Sequence, residues 1–345
     1  MLLSGSCIQE VEVFDDNDNS TLIIEGIITN HSENVEVTLA YSRKFNVRPD
    51  FEKLRGAEVR VVDNLGNEVY LEYAAYGKYV GSDFQGVVGR TYELKVKMPT
   101  GETYSSLPET MLPVSPIKEL KHERRGNNVQ FLVDFEDDEN TRDYYRWRYT
   151  GTHEVFSPTA YELDQSWQYP QSGGVRCYGW ASQPDFSEVY SCWVTKTDLE
   201  LLNISNDFVF NGLEVKNKEV YSVELDRKFN YGYSGEVEQY SLTKDAYKFW
   251  AAIREQIGNG GTIFETANYQ IRGNIYSDEN PGELVLGYFG ASAVTTERIF
   301  VTDFIDDYGD VSCEPNQVGC VPESCIDCRA YSASSTNIRP DYWPE

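Results

Sequence analysis

Three observations predict a mainly β fold: short runs of alternating apolar and polar residues at regular spacing, an aromatic content of 14% that includes 25 tyrosines, and a single segment with helical periodicity. A chain of 345 residues is long enough for about two domains, each with its own core. The expected order is an N-terminal β-sandwich, then a second β-rich domain with one prominent helix and a disulfide-rich C-terminal tail.

Residues 1–20 read as the remnant of a lipoprotein signal followed by an acidic tether. Gly5 and Ser6 are the small residues expected before a lipid-bearing cysteine at Cys7, although Ser4 stands where an apolar residue is usual. Asp16-Asn17-Asp18-Asn19 lacks the glycine and distal glutamate of a calcium loop and reads as a solvated linker.

Residues 21–112 read as the first domain. Strands are expected at Thr21 to Ile28, Val35 to Leu39, Glu58 to Val62, Val69 to Tyr73, Tyr92 to Met98 and Thr103 to Ser106, with turns at Asp63 to Asn67 and Pro99 to Glu102. About seven strands in some ninety residues, one face of each apolar, suit a sandwich of immunoglobulin or transthyretin type. Such a domain is more often a scaffold than an enzyme.

Pro108, Pro113 and Pro116 mark the expected boundary, and residues 113–345 form the second domain. Val129 to Phe135, Tyr144 to Tyr149, Tyr269 to Tyr276 and Leu284 to Ala291 are strand-like. The helix spans 244–257: Thr243 is a suitable N-cap, Ala246, Trp250, Ile253 and Ile257 recur on one face, and Gly258, Gly260 and Gly261 stop it.

Cysteine usage places the protein outside a reducing cytosol, since six of the seven cysteines lie in the second half and can pair, which leaves Cys7 for a lipid. Cys177 and Cys192 bracket a loop that one disulfide would close. Cys313, Cys320, Cys325 and Cys328 can pair in three ways; zinc is the alternative for these four, though zinc sites more often show two close pairs.

The formal charge of −26 repels phosphate backbones and excludes nucleic acid as a partner. His31, His122 and His153 stand in no recognised nucleophile setting, and Gly290-Ala291-Ser292-Ala293 lacks the second glycine of a nucleophile elbow, so no catalytic residues are assigned. Asp303, Asp306, Asp307 and Asp310 read as an acidic surface loop in preference to a calcium site. Neither cofactor nor metal is expected. Trp147, Trp167, Trp180 and Trp193 are the candidate binding surface, with packing in the second core as their competing role.

Several phrases together resemble a known family: Leu22 to Asn30, Phe84 to Tyr92, Asp143 to Arg148, Ala246 to Trp250, Gln270 to Ile275, Leu286 to Ser292, Cys325 to Arg329 and Pro340 to Trp343. They are similar to the Bacteroidota outer-membrane lipoproteins grouped as domain of unknown function 4249, over nearly the whole chain. That resemblance implies a lipid-anchored protein often encoded beside TonB-dependent transporters, with no family catalytic residues. The expected function is therefore non-enzymatic: an accessory binding or assembly partner of such a transporter, held at the outer membrane through Cys7. An independent surface glycan-binding module is the alternative, and an exported hydrolase a more distant one.

Overall fold

The computed structural model describes residues 21–31, 35–42, 52–157, 187–198, 202–259, 271–304, 308–309, 313, 322–325 and 327–344. The protein is mainly β, with strands making up 52% of the described residues and one long helix among them.

The N-terminal part lays down β1 (Leu22–Thr29), β2 (Val35–Tyr41), β3 (Glu52–Lys53), β4 (Glu58–Asp63) and β5 (Glu68–Ala75). There follow β6 (Lys78–Gly81), β7 (Thr91–Lys97), β8 (Thr103–Ser106) and β9 (Glu109–Thr110). Alternation drives the burial: Val35, Val37 and Leu39 on β2, or Val59 and Val61 on β4, point to the core while their neighbours face out. The β4–β5 turn is locked by the buried Asp63 carboxylate, which accepts from the Leu65 and Asn67 amides at 2.9 and 2.8 Å and from Arg90 Nη1 at 2.9 Å. Burial opposes its charge, but these bonds hold the Asp63 carboxyl below its ordinary value.

The second part begins with β10 (Ile117–Arg125), β11 (Asn128–Glu136) and β12 (Tyr144–Phe156), then a short helix α1 (Ser187–Tyr190), β13 (Ser191–Thr197) and β14 (Asn203–Asn206). It continues with β15 (Glu214–Glu224), β16 (Tyr233–Ser241) and the long helix α2 (Lys244–Asn259). The remaining strands are β17 (Ile275–Ser277), β18 (Val285–Leu286), β19 (Phe289–Ser292), β20 (Val294–Val301) and β21 (Ser335–Thr336).

The first sheet is ordered β17-β8-β7-β4-β5-β6-β2-β1-β18, with β19 also beside β1. Its two end strands, β17 and β18, belong to one short stretch of chain, so the sheet nearly closes on itself around Ile24, Ile28, Leu39, Val61, Leu94 and Phe289. The sheet thus reaches beyond residues 21–112: β17 pairs antiparallel with β8, and β18 and β19 pair parallel with β1. Without these returning strands the edges of β1 and β8 would carry unpaired backbone groups. Gly287 makes the closure possible, for at φ +96° any Cβ here would sit 2.1 Å from the Ile24 carbonyl oxygen.

The second part is a sandwich. The three-stranded sheet β10-β11-β15 faces the six-stranded sheet β20-β16-β12-β13-β21, in which β14 also pairs with β12. Phe131, Val133 and Phe135 of β11 meet Tyr145, Trp147 and Tyr149 of β12 in one aromatic core. The opposite face of β12 carries Arg146 and Arg148.

Helix α2 runs slightly past the expected end. Thr243 is its N-cap, its hydroxyl accepting from the Ala246 amide at 3.1 Å. Ala246, Phe249, Trp250 and Ile253 dock with Leu242, Ile204 and Tyr288. Ile257 does not join that stripe and is 61% exposed.

Two disulfides pin the C-terminal segment. Cys192 on β13 bonds Cys328, and Cys313 bonds Cys325. The pairing of Cys192 with Cys177 expected from their proximity in sequence is thereby corrected, since β21 docks on β13 and brings Cys328 to Cys192. Cys313, Cys325 and Cys328 carry their sulfurs in disulfides, the state expected for them in preference to zinc ligation. Cys7, Cys177 and Cys320 lie outside the described residues.

Candidate functional site

A cavity of about 210 Å³ opens where the first sheet meets the second sandwich. Its floor is the outer face of β12 and β16, where register sets Arg146 opposite Tyr240 and Arg148 opposite Glu238. One wall is the outer face of β1 and β2, with Glu25 paired against Thr38 and Ile27 against Glu36. Phe249 and Trp250 of α2 and Tyr288 close another side. Strand alternation alone places these groups: the residues between them, Ile24, Val37, Tyr145 and Trp147, fill the two cores.

Electrostatics distinguish the two arginines. Arg148 donates through Nη1 to the Tyr240 hydroxyl at 3.2 Å, whereas the Arg146 guanidinium lies over the Trp250 ring with Cζ 4.0 Å from the centroid. Desolvation, then the like charge of Arg148, pushes the Arg146 pKa down to about 10, still fully charged at neutral pH. Burial pushes the Tyr240 hydroxyl up to about 12, so it stays protonated. Glu25 is accessible from the cavity yet crowded by protein, and that desolvation raises its pKa, partly offset by Arg146. Glu36 is taken by Lys78, 2.5 Å away. The cavity lining carries no histidine or cysteine among the described residues.

Behind this wall, a buried junction fixes α2. The Glu109 carboxylate accepts from the Thr243 hydroxyl at 2.8 Å and from the Tyr288 hydroxyl. Burial raises the Glu109 pKa, the two hydroxyl bonds opposing it. The cap of α2 and the Tyr288 wall are thus tied to one carboxylate on β9.

The tryptophans expected to form a binding surface do not form one within the described residues. Trp147 is 2% exposed and donates through Nε1 to Gln239 at 2.8 Å, and Trp193 is 7% exposed. Both have gone to packing, because they lie on the inward alternation of β12 and in the seam between β13 and β21. Trp167 and Trp180 lie outside the described residues. His122 bonds Asp303 at 2.9 Å, His153 is buried against Tyr233, and Asp306, Asp307 and Asp310 lie outside the described residues. Among the described residues no group of three or more His, Cys, Asp or Glu side chains is arranged to hold a metal ion. Sequence reading missed Arg146, Glu25 and Trp250 as site residues; the alternation of arginine with aromatic residues from Tyr145 to Tyr149 was a signal for Arg146, and none pointed to Glu25 or Trp250.

Fold and site together define a two-part β protein with an arginine-floored cavity between the parts. The chain belongs to the family described as domain of unknown function (DUF4249), whose family model matches residues 9–298. No curated protein matches it. Among solved structures it aligns with one from Bacteroides uniformis described as a "putative carbohydrate binding protein", at 12% identity over 65% of this chain and 91% of that one, with a TM-score of 0.15.

Proposed function

We propose that this is a non-enzymatic binding protein of the cell envelope that takes a small ligand into the cavity between its two parts. The observation that carries the reading is Arg146, a charged group set on the cavity floor with its donors unclaimed among the described residues. Protein interiors seldom leave such a group without a partner unless a ligand or water supplies one. The proposal extends to place: attachment to the outer membrane through lipid on Cys7, and service as an accessory partner of a TonB-dependent transporter. Two disulfides support an oxidising compartment. No helix among the described residues is long and apolar enough to cross a membrane, so a lipid on Cys7 would supply the attachment.

Purification of the tagged protein from detergent-solubilised membranes tests the partnership, with co-recovery of a transporter expected. Repeated recovery alone under mild conditions overturns it. Mass spectrometry of the mature N-terminus reads the lipid directly. The second reading, an independent glycan-binding module, is favoured by the aromatic groups of the cavity in place of the buried Trp147 and Trp193. Glycan binding lost in Trp250→Ala, with no transporter recovered, would select it.

A further inference from the structure

The cavity holds a cation and a carboxylate that face the same space without closing on each other. Among the described residues Arg146 has no carboxylate within ion-pair distance and no hydrogen-bond acceptor; it lies over the Trp250 face and feels Arg148, Tyr240, Glu25 and Glu238 electrostatically. Its nitrogens are not among the sealed, unsatisfied atoms of the interior, so they open onto the cavity. Glu25, one of the carboxylates whose charge it feels, likewise has no hydrogen-bond or ion-pair partner among the described residues.

Guanidinium presents a planar fork of N–H donors that matches a carboxylate in bidentate fashion, and stacking on an indole fixes the plane of that fork. A chain of formal charge −26 repels anions over most of its surface, whereas here two adjacent arginines on the floor offset Glu25 and the Lys78-paired Glu36 on the wall, so the excess of negative charge is lifted locally. At about 210 Å³ the cavity falls below the roughly 300–1,000 Å³ of drug-sized sites, which sets the ligand at one ring or a comparably short chain.

We propose that the cavity binds a small carboxylate carrying an O–H or N–H donor close to the acid, the acid held by Arg146 and the donor by Glu25. This rests on the reading of the cavity as a ligand site. Two sources share that chemistry, sugar acids and α-amino acids.

Isothermal titration of the full chain with glucuronate, L-alanine and, as the neutral control, glucose separates them. One of the two carboxylates is expected to bind at least tenfold tighter than glucose, and which one does so names the source. Arg146→Met should then weaken binding at least tenfold and Arg146→Lys by less, because the ammonium keeps the charge but loses the fork. Glu25→Gln, at the accessible mouth, should weaken it severalfold and serves if the arginine variants fold poorly. Glucose binding as tightly as glucuronate, unchanged by Arg146→Met, overturns the carboxylate while leaving the cavity as a ligand site. Carboxylate binding indifferent to both Arg146→Met and Glu25→Gln overturns the site itself, and no binding of either carboxylate at millimolar concentration overturns the proposal.

Discussion

Arg146 of β12 and Trp250 of α2 meet across the cavity floor, guanidinium carbon 4.0 Å from the ring centroid, so the helix is registered on the sheet by a cation–π contact. Trp250→Leu keeps an apolar group there and removes the π face. A partly desolvated contact of this kind contributes about 0.5–2 kcal/mol. Urea unfolding of Trp250→Leu, Arg146→Met and the double variant should show a coupling of that size; strictly additive losses would show that the two groups only happen to be neighbours.

Cys192 and Cys328 are 136 residues apart, and Cys313 and Cys325 are 12 apart. Chain-entropy arithmetic assigns about 5 kcal/mol to the longer loop and about 3 kcal/mol to the shorter. Paired serine substitutions should therefore cost more at 192 and 328 than at 313 and 325, read from denaturant midpoints. Peptide mapping without reductant should recover Cys192 linked to Cys328; a Cys177–Cys192 peptide in its place would contradict the fold of the tail.

His153 is 7% exposed and stacks on Tyr233, and burial, then Lys228 and Arg227, pushes its pKa down to about 4. An unfolded histidine titrates near 6.5, so between about 6.5 and 4 the unfolded chain binds a proton that the folded chain refuses. Stability contributed here is present above 6.5 and lost as pH falls, with a slope approaching about 1.4 kcal/mol per pH unit. His153→Phe should flatten that part of the stability–pH curve relative to the parent. Equal slopes for the two proteins would place the acid sensitivity elsewhere.

Thr243 has two tasks, capping α2 through its accepting oxygen and donating to Glu109. Thr243→Ala removes both, at an expected cost of about 1–2 kcal/mol, whereas Thr243→Ser should restore most of it. Thermal or urea unfolding of the pair measures the difference. No loss in the alanine variant would mean that neither the cap nor the bond to Glu109 contributes measurably to stability.

Gly287 lies at φ +96° with its α-carbon hard against β1. Gly287→Ala brings a methyl to 2.1 Å from the Ile24 carbonyl oxygen, where only movement of the backbone relieves the clash. We expect a loss of more than about 3 kcal/mol or failure to fold, against about 1–2 kcal/mol for Gly66→Ala, where φ is also positive but nothing crowds the added methyl. Comparable effects at the two glycines would argue against close packing of β18 and β19 on β1.

Much of the strand text was legible because it is local. Val35 to Leu39, Glu58 to Val62 and Val129 to Phe135 alternate as half-buried strands must, and the helix announced itself through Thr243 and the Ala246–Trp250–Ile253 spacing. What local pattern cannot carry is the partner. Leu284 to Ala291 reads as a strand, yet nothing in it says that it returns to β1, and the bond from Val294 to Asn30 spans 264 residues. The site suffered for the same reason. Tyr145-Arg146-Trp147-Arg148-Tyr149 shows that one face is aromatic and the other basic, but what covers the basic face is decided by the junction of two sheets. Indole-rich sequence therefore drew attention to Trp147 and Trp193, which packing had already claimed.

The strands that complete the first sheet are synthesised long after the strands they join. Until residues 275–292 emerge, β1 and β8 lack the neighbours that close the sheet, and their open edges are templates for wrong pairing. The N-terminal half therefore cannot finish folding until that later segment has been made. A chain released early, or truncated after residue 112, would be left with both edges open.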